Sequence, residues 1–407
     1  MRFSILRLRD FRVTLTTRFC VMLSWIAQDV IIGWQVYAIT KDPLMLGLVG
    51  LTEAVPAIIC ALFAGYIVDI SRPYKVFITC VGVMALNSLM LMLIDGGYIH
   101  APGGILPWLF VGVFISGVAR AFIMPASFTL LPQIVPRAEM SSAAAMLTGS
   151  FQLASIVGPA TAGIIYGGYG PHGAWWIPTT LIFTAFILHI TTLSAAPRKW
   201  KSEQKREGAA KSIKAGWSFI WHNNALLAIM ALDMFAVLFG GAIAMLPAIA
   251  DKVLHVGPEE LGLLRAAPAI GAVAMALVLS VRPFKTIKAS WMLWTVVGFG
   301  AGIIGFGLSN IFWVSMLFLF ITGLFDSVSM VIRSTLMQWL TPDDMRGRVS
   351  AVNSMFIVSS NEIGAFESGL AAKLLGLVPS VIFGGCMTLL VVAITALASP
   401  KLRKLEV

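Results

Sequence analysis

The chain has 407 residues, 58% of them hydrophobic and only 12% charged, with a formal net charge of +10 and a mean hydropathy of +0.89. An average soluble domain is about 25% charged, so this composition excludes an ordinary soluble enzyme or binding module and points to a chain that crosses a membrane many times.

In chain order, twelve apolar segments stand at about 13–39, 44–69, 74–95, 105–135, 140–167, 174–195, 225–250, 259–281, 289–308, 311–340, 348–377 and 379–399. Each reaches or approaches the ~20 residues that span a bilayer as a helix. With both termini inside, the inner loops and tails hold 22 of the 29 Lys and Arg residues, and the outer loops hold only Lys41 and Lys252. The other five, Arg18, Arg120, Arg265, Arg333 and Lys373, fall in apolar segments. The positive-inside rule then reads the basic excess as an orientation signal, with both termini cytoplasmic. A cytoplasmic (inner) membrane is the expected location, and nucleic acid is not an expected partner. The longest polar stretch, Ala196 to Asn224, separates six segments from six. It divides the chain into an N-terminal bundle (1–195), a cytoplasmic linker (196–224) and a C-terminal bundle (225–407). The end of the linker, "SIKAGWSFIWHN", fits either a short amphipathic helix on the inner surface or a plain tether. Cys20, Cys60, Cys80 and Cys386 lie in apolar segments without metal-like spacing, so neither a disulfide nor a metal is expected. The first apolar run is too long for the core of a cleavable signal and lacks a small-residue cleavage site.

The two halves repeat. A shift of 206 residues matches Gly117 with Gly323, Leu130 with Leu336 and Pro136 with Pro342, and a shift of 210 matches "RPYK" (Arg72–Lys75) with "RPFK" (Arg282–Lys285). Two parallel six-helix repeats related by an axis along the membrane normal are a transporter plan.

Charges inside the apolar segments are the candidate functional residues, because an ionisable group in mid-membrane is costly. Arg120 is the one ionisable side chain between Ile105 and Val135. At the bilayer centre it would cost about 2.5–3.5 kcal/mol on insertion scales. Asp29 lies in the first segment, Asp233 in the seventh, Asp326 and Arg333 in the tenth, and Glu362 in the eleventh. At the repeat shifts Arg120 maps onto Asp326, and Asp29 falls near Asp233. Helical spacing puts Trp25, Gln28, Asp29, Ile32 and Gln35 on one face, and Ser116, Gly117, Arg120 and Met124 on another. Such polar stripes must face protein or water. Arg120 is thus expected opposite Asp29, Asp233 or Asp326, either in a wet cavity or as a static pair holding the bundle. Glu53 and Arg265 are expected in an outer gate or in structural pairs. Mixed charge with Trp and Met suits an amphipathic organic molecule better than a bare cation, which needs clustered oxygen ligands. "GAGIIG" (Gly300–Gly305) lies inside a helical segment with no preceding strand, so it reads as a close-packing face and not as a nucleotide loop. His189 reads as a packed or lipid-edge histidine.

The whole chain resembles the major facilitator superfamily. "GYIVDISRPYK" (Gly65–Lys75) is similar to its signature between helices 2 and 3, and "GSFQLASIVGPATAG" (Gly149–Gly163) to its helix 5 Gly-Pro motif of exporters. "FIMPASFTLLPQIVP" and "DDMRGRVSAVNSMFIVSSNEIGAFESG" resemble the enterobactin-exporter-like efflux subgroup, also described as transmembrane secretion effectors. The resemblance implies an all-α membrane protein, with twelve transmembrane helices in two pseudo-symmetric six-helix bundles. It implies a central cavity lined by helices 1, 4, 7 and 10, each of which carries a charge here. It makes Gly65, Asp69, Arg72 and Lys75 an inner gate, and it ties Gly158 and Pro159, whose ring would bend helix 5, to export. Glycines at Gly65 and Gly163 are expected where helices approach closely. The function so implied is secondary active export of a siderophore- or drug-like amphiphile by a monomer, without a cofactor. A carboxylate shielded from water can carry a proton near neutral pH, and Asp29, then Asp233, are the coupling candidates. A lysophospholipid flippase, an importer on the same fold, and a non-transporting receptor or scaffold are the alternatives.

Overall fold

Inside a bilayer every backbone N–H and C=O must find its partner within the protein, and a helix meets that condition within one segment. The structure, a computed structural model, describes residues 3–192, 209–282, 284, 286–342, 345–399 and 406. Fourteen α-helices account for nearly all of them: α1 (Arg9–Thr40), α2 (Pro43–Ile70), α3 (Pro73–Asp95), α4 (Ile105–Ile134), α5 (Met140–Ala174), α6 (Trp176–Thr192), α7 (Ala209–His222), α8 (Asn224–Phe239), α9 (Leu246–Lys252), α10 (Pro258–Val281), α11 (Ala289–Leu308), α12 (Phe312–Leu340), α13 (Arg346–Leu375) and α14 (Leu377–Ala398). Pro43, Pro73 and Pro258 each stand first in their helix, where the missing N–H costs nothing. Asn223 caps α8, its side chain accepting from the Leu226 N–H at 3.2 Å.

Among the described residues, ten spans are long and apolar enough to cross a membrane, and α6 is a shorter apolar helix. The thirty-residue α13, more polar because it carries Asn361, Glu362, Glu367 and Lys373, completes twelve. The seventh span differs from the expected continuous helix. It breaks after Phe239 into a 3-10 turn, Ala242–Met245, and resumes as α9. Gly240 and Gly241 weaken the helix there. A Cβ on Gly241 would come within 2.9 Å of the Gly364 carbonyl of α13, so the break is also where two backbones touch. In α5 the helix runs through Pro159, and the non-helical residue is Gly170, at φ 71°.

The chain divides into two compact units, Met1–Ile39 with Thr52–Ala209, and Thr40–Leu51 with Ala210–Val407. The first is cored by Val81, Ala85, Ala119, Ile123, Ile182 and Ala185 from α3, α4 and α6. The second is cored by Ile229, Leu232, Met292, Val296, Ile332 and Leu336 from α8, α11 and α12. Alternating small and branched residues allow this close packing, which replaces the hydrophobic drive that lipid does not supply. Gly300 packs against α14, and Gly302 and Gly305 pack against α12, so these glycines serve two helix contacts and not one face.

Candidate functional site

In the first unit the site begins with Gly117 on α4. A Cβ there would overlap the backbone carbonyl of Glu53 on α2, so only glycine lets the two helices cross backbone to backbone. One turn on, the Arg120 guanidinium reaches Glu53 Oε1 at 2.8 Å. The side chains of the pair are 22% and 10% exposed. From α1, the Trp25 Nε1–H donates to the same oxygen at 3.2 Å, and the Trp25 ring lies 4.6 Å from the Arg120 Cζ. That geometry adds a cation–π attraction to the ion pair. Asp29, one turn beyond Trp25, is close enough to Glu53 to act on it electrostatically. Three helices thus bring one cation and two carboxylates together.

The second unit has a parallel arrangement. Arg333 of α12 is ion-paired with Asp233 of α8, and both side chains are almost fully buried. Asp326, two turns earlier on α12, lines a small cavity with Asp233, Thr295, Phe299 and Ser329. Asp233 thus links the Arg333 guanidinium to the cavity that Asp326 lines. Gly323, the repeat mate of Gly117, again admits a backbone crossing, its added Cβ overlapping Pro268 of α10. The charges around the two crossings are reversed: Glu53 stands three residues before Pro56 and Arg120 three after Gly117, whereas Arg265 and Asp326 hold those places in the second half.

Several expectations change. Arg120 was expected opposite Asp29, Asp233 or Asp326; the structure adds an ion pair with Glu53, a residue expected in an outer gate or a structural pair, in a cluster to which Asp29 also belongs. Periodicity along one helix cannot show which neighbour a glycine crossing brings near. The polar stripe of α1 also divides. Trp25 and Asp29 serve the Arg120 cluster, and Gln28 is buried. Gln35 donates instead to Asp95 of α3 and accepts from the Trp175 indole at 3.4 Å. Asp95 is paired at 2.7 Å with His172, and sequence reading missed this cluster because Asp95 and His172 stand at helix ends. Glu362 sits beside Gly50 of α2, whose added Cβ would lie 3.7 Å from its Oε2. Gly65 is exposed, and among the described residues an added Cβ there would meet nothing within 4 Å. Arg72 and Lys75 open α3 on the surface, with the Lys75 N–H bonded to the Arg72 carbonyl. The Asp69 side chain and, in the second copy of the motif, Pro283 and Lys285 lie outside the described residues. Gly158 and Pro159 are buried, and an added Cβ on Gly158 would lie 3.0 Å from Ile26 of α1. His189 is buried and stacked on Tyr74, ring centroids 5.1 Å apart. Among the described residues no group of three or more His, Cys, Asp or Glu could hold a metal ion.

Twelve spans in two repeated halves, each holding a buried cation with its carboxylates, define a polytopic transporter fold. Residues 14–356 match the family model described as Major Facilitator Superfamily, and the chain belongs to that family. It is similar to the "Enterobactin exporter EntS" of Shigella boydii serotype 4, 23% identical over 398 residues covering 97% of this chain and 92% of that protein. The protein of the same name from Citrobacter koseri is 23% identical over 369 residues, 89% of this chain and 86% of the relative. Among solved structures, a POT family transporter in complex with 5-aminolevulinic acid superposes with a TM-score of 0.76 at 11% identity, over 97% of this chain and 96% of that one. A D-xylose-proton symporter superposes at 0.73 and 13% identity, over 95% and 97%. At those identities the structures speak for the fold alone.

Proposed function

We propose that this transporter is a proton-coupled exporter of amphipathic small molecules of siderophore or drug type, working by alternating access. The observation that carries the reading is that each unit sets guanidinium and carboxylate groups on crossing membrane helices: Arg120 with Glu53 and nearby Asp29, and Arg333 with Asp233, whose cavity Asp326 also lines. In each cluster a carboxylate can exchange its protein partner for a proton or for a cationic part of a substrate. Proton and substrate then compete for one carboxylate, which is the linkage that antiport requires. Glu53 and Asp326 join Asp29 and Asp233 as the coupling candidates, with Trp25 supplying a flat apolar contact. The names of the distant relatives favour a siderophore-like cargo and outward transport. Asp69, Arg72 and Lys75 are proposed as the inner gate, and residues 1–195 and 225–407 as the two moving bundles about the 196–224 linker. We further assign the working form to a monomer in the inner membrane with both termini cytoplasmic.

Purified protein in liposomes tests this with a panel of catecholate siderophores and cationic dyes and an imposed pH gradient. Movement of at least one compound should accelerate with the gradient oriented for proton antiport. Glu53→Gln and Asp326→Asn should leave residual exchange insensitive to the gradient. Binding without movement would instead make the protein a receptor, and movement of lysophospholipid alone would make it a flippase.

A further inference from the structure

Helix α7 belongs to none of the twelve spans, yet it is firmly built into the second unit. Ile220 is 2% exposed within that unit's core. Gly216 lies against the Arg348 carbonyl at the start of α13, 2.8 Å from where its Cβ would stand. The Trp217 ring stacks on Phe356 of α13, with centroids 5.4 Å apart and planes 14° from parallel. It stacks also on Trp221, one turn along, at 6.2 Å. Despite this, Trp217 is 46% and Trp221 59% exposed. A docked helix thus presents two indoles that the described residues leave about half exposed.

The neighbouring elements indicate what covers them. Trp339, one residue from the end of α12, is 59% exposed, and Trp294, near the start of α11, is 71% exposed. Both stand at the same end of the unit as α7, since α11 and α13 begin there and α12 ends there. Tryptophans gather at this level because the ring is apolar and the N–H is polar, which suits the boundary between headgroups and acyl chains. The chain entering α7 carries seven Lys and Arg against two Glu between residues 198 and 214. Such a segment is attracted to a negatively charged leaflet.

We propose that α7 lies in the anionic headgroup layer of the inner leaflet, with Trp221 inserted beside Trp217, and that through Gly216 and Phe356 it tethers the inner end of α13 to that layer. The inference rests on the orientation argued above and not on the cargo. The test uses full-length, cysteine-free protein with Ser218→Cys, an exposed position beside Trp221, carrying an environment-sensitive fluorophore. It is placed in nanodiscs of phosphatidylcholine with or without phosphatidylglycerol. A nitroxide on the lipid headgroup should quench the label several-fold more than a water-soluble nitroxide, and the difference should grow with phosphatidylglycerol. Trp221→Ala should abolish the difference and Trp221→Phe should keep it. Quenching dominated by the aqueous nitroxide in both lipids would make α7 a solvated helix and overturn the proposal. Equal shielding in lipid-free amphipol would give the face to the chain's own linker and overturn it too. Quenching indifferent to phosphatidylglycerol would overturn the anionic preference.

Discussion

Arg120 is held by a carboxylate and an indole at once, and each partner supplies something a lysine could not use as well. The guanidinium is planar, so it can lie on the Trp25 ring while one N–H points at Glu53. Arg120→Lys keeps the charge and loses the stacked geometry; melting should change little while transport falls. Arg120→Ala leaves Glu53 buried without its cation, which for a fully buried pair costs about 3–5 kcal/mol. The variant should therefore melt well below wild type, and Arg120→Ala with Glu53→Gln should recover most of the loss without restoring transport. Recovery by Asp29→Asn and not by Glu53→Gln would reassign the partner. A second residue-scale expectation concerns the Asp42–Lys373 pair at 3.1 Å. Burial pushes the Asp42 carboxyl up, but the Leu44 N–H, the Lys373 ammonium and Lys252 together hold it below the usual range. A depressed carboxylate stabilises above its unfolded value and loses that contribution as pH falls through its folded value. The difference in melting temperature between wild type and Asp42→Asn should persist at neutral pH and close below about pH 3.9.

At the scale of elements, helix crossings decide which charges meet. Gly117 sets α4 on α2, and Gly323 sets α12 on α10, each at a contact where a methyl group would overlap backbone. Gly117→Val should push α4 away, break the Arg120–Glu53 bond and combine a lower melting temperature with lost transport. Adding Glu53→Gln should recover little of it, because the overlap is with the Glu53 carbonyl and not with its carboxylate. Thermal unfolding of the single and double variants separates this from a purely electrostatic defect. The broken seventh span is a second crossing of this kind, since Gly241 and Gly364 bring α13 against the end of α8.

For the whole molecule, loop charge predicts orientation. Single cysteines at Ala138, in the turn between α4 and α5, and at Asn310, between α11 and α12, should label with an impermeant reagent from opposite sides. Ala138 should react only from the cytoplasm. Labelling of both from one side would overturn the twelve-span topology.

The sequence by itself determined the class, the spans and the repeat. Apolar runs near twenty residues admit one kind of structure in lipid, and a six-helix unit used twice leaves matching glycines and prolines at a constant shift. It also marked Arg120, Asp233, Asp326 and Arg333, because a charge in an apolar run stands out without any neighbour being known. Only the tertiary structure decided the pairings: Glu53 for Arg120, Asp233 for Arg333, Asp95 for Gln35 and His172. It alone showed that α1 divides its polar stripe between two clusters, and that the seventh span breaks at Gly240–Gly241. The physical reason is common to these cases. Hydropathy and periodicity are properties of one segment, whereas an ion pair or a helix break depends on how near a second backbone comes, and that distance is fixed by glycines far away in the chain.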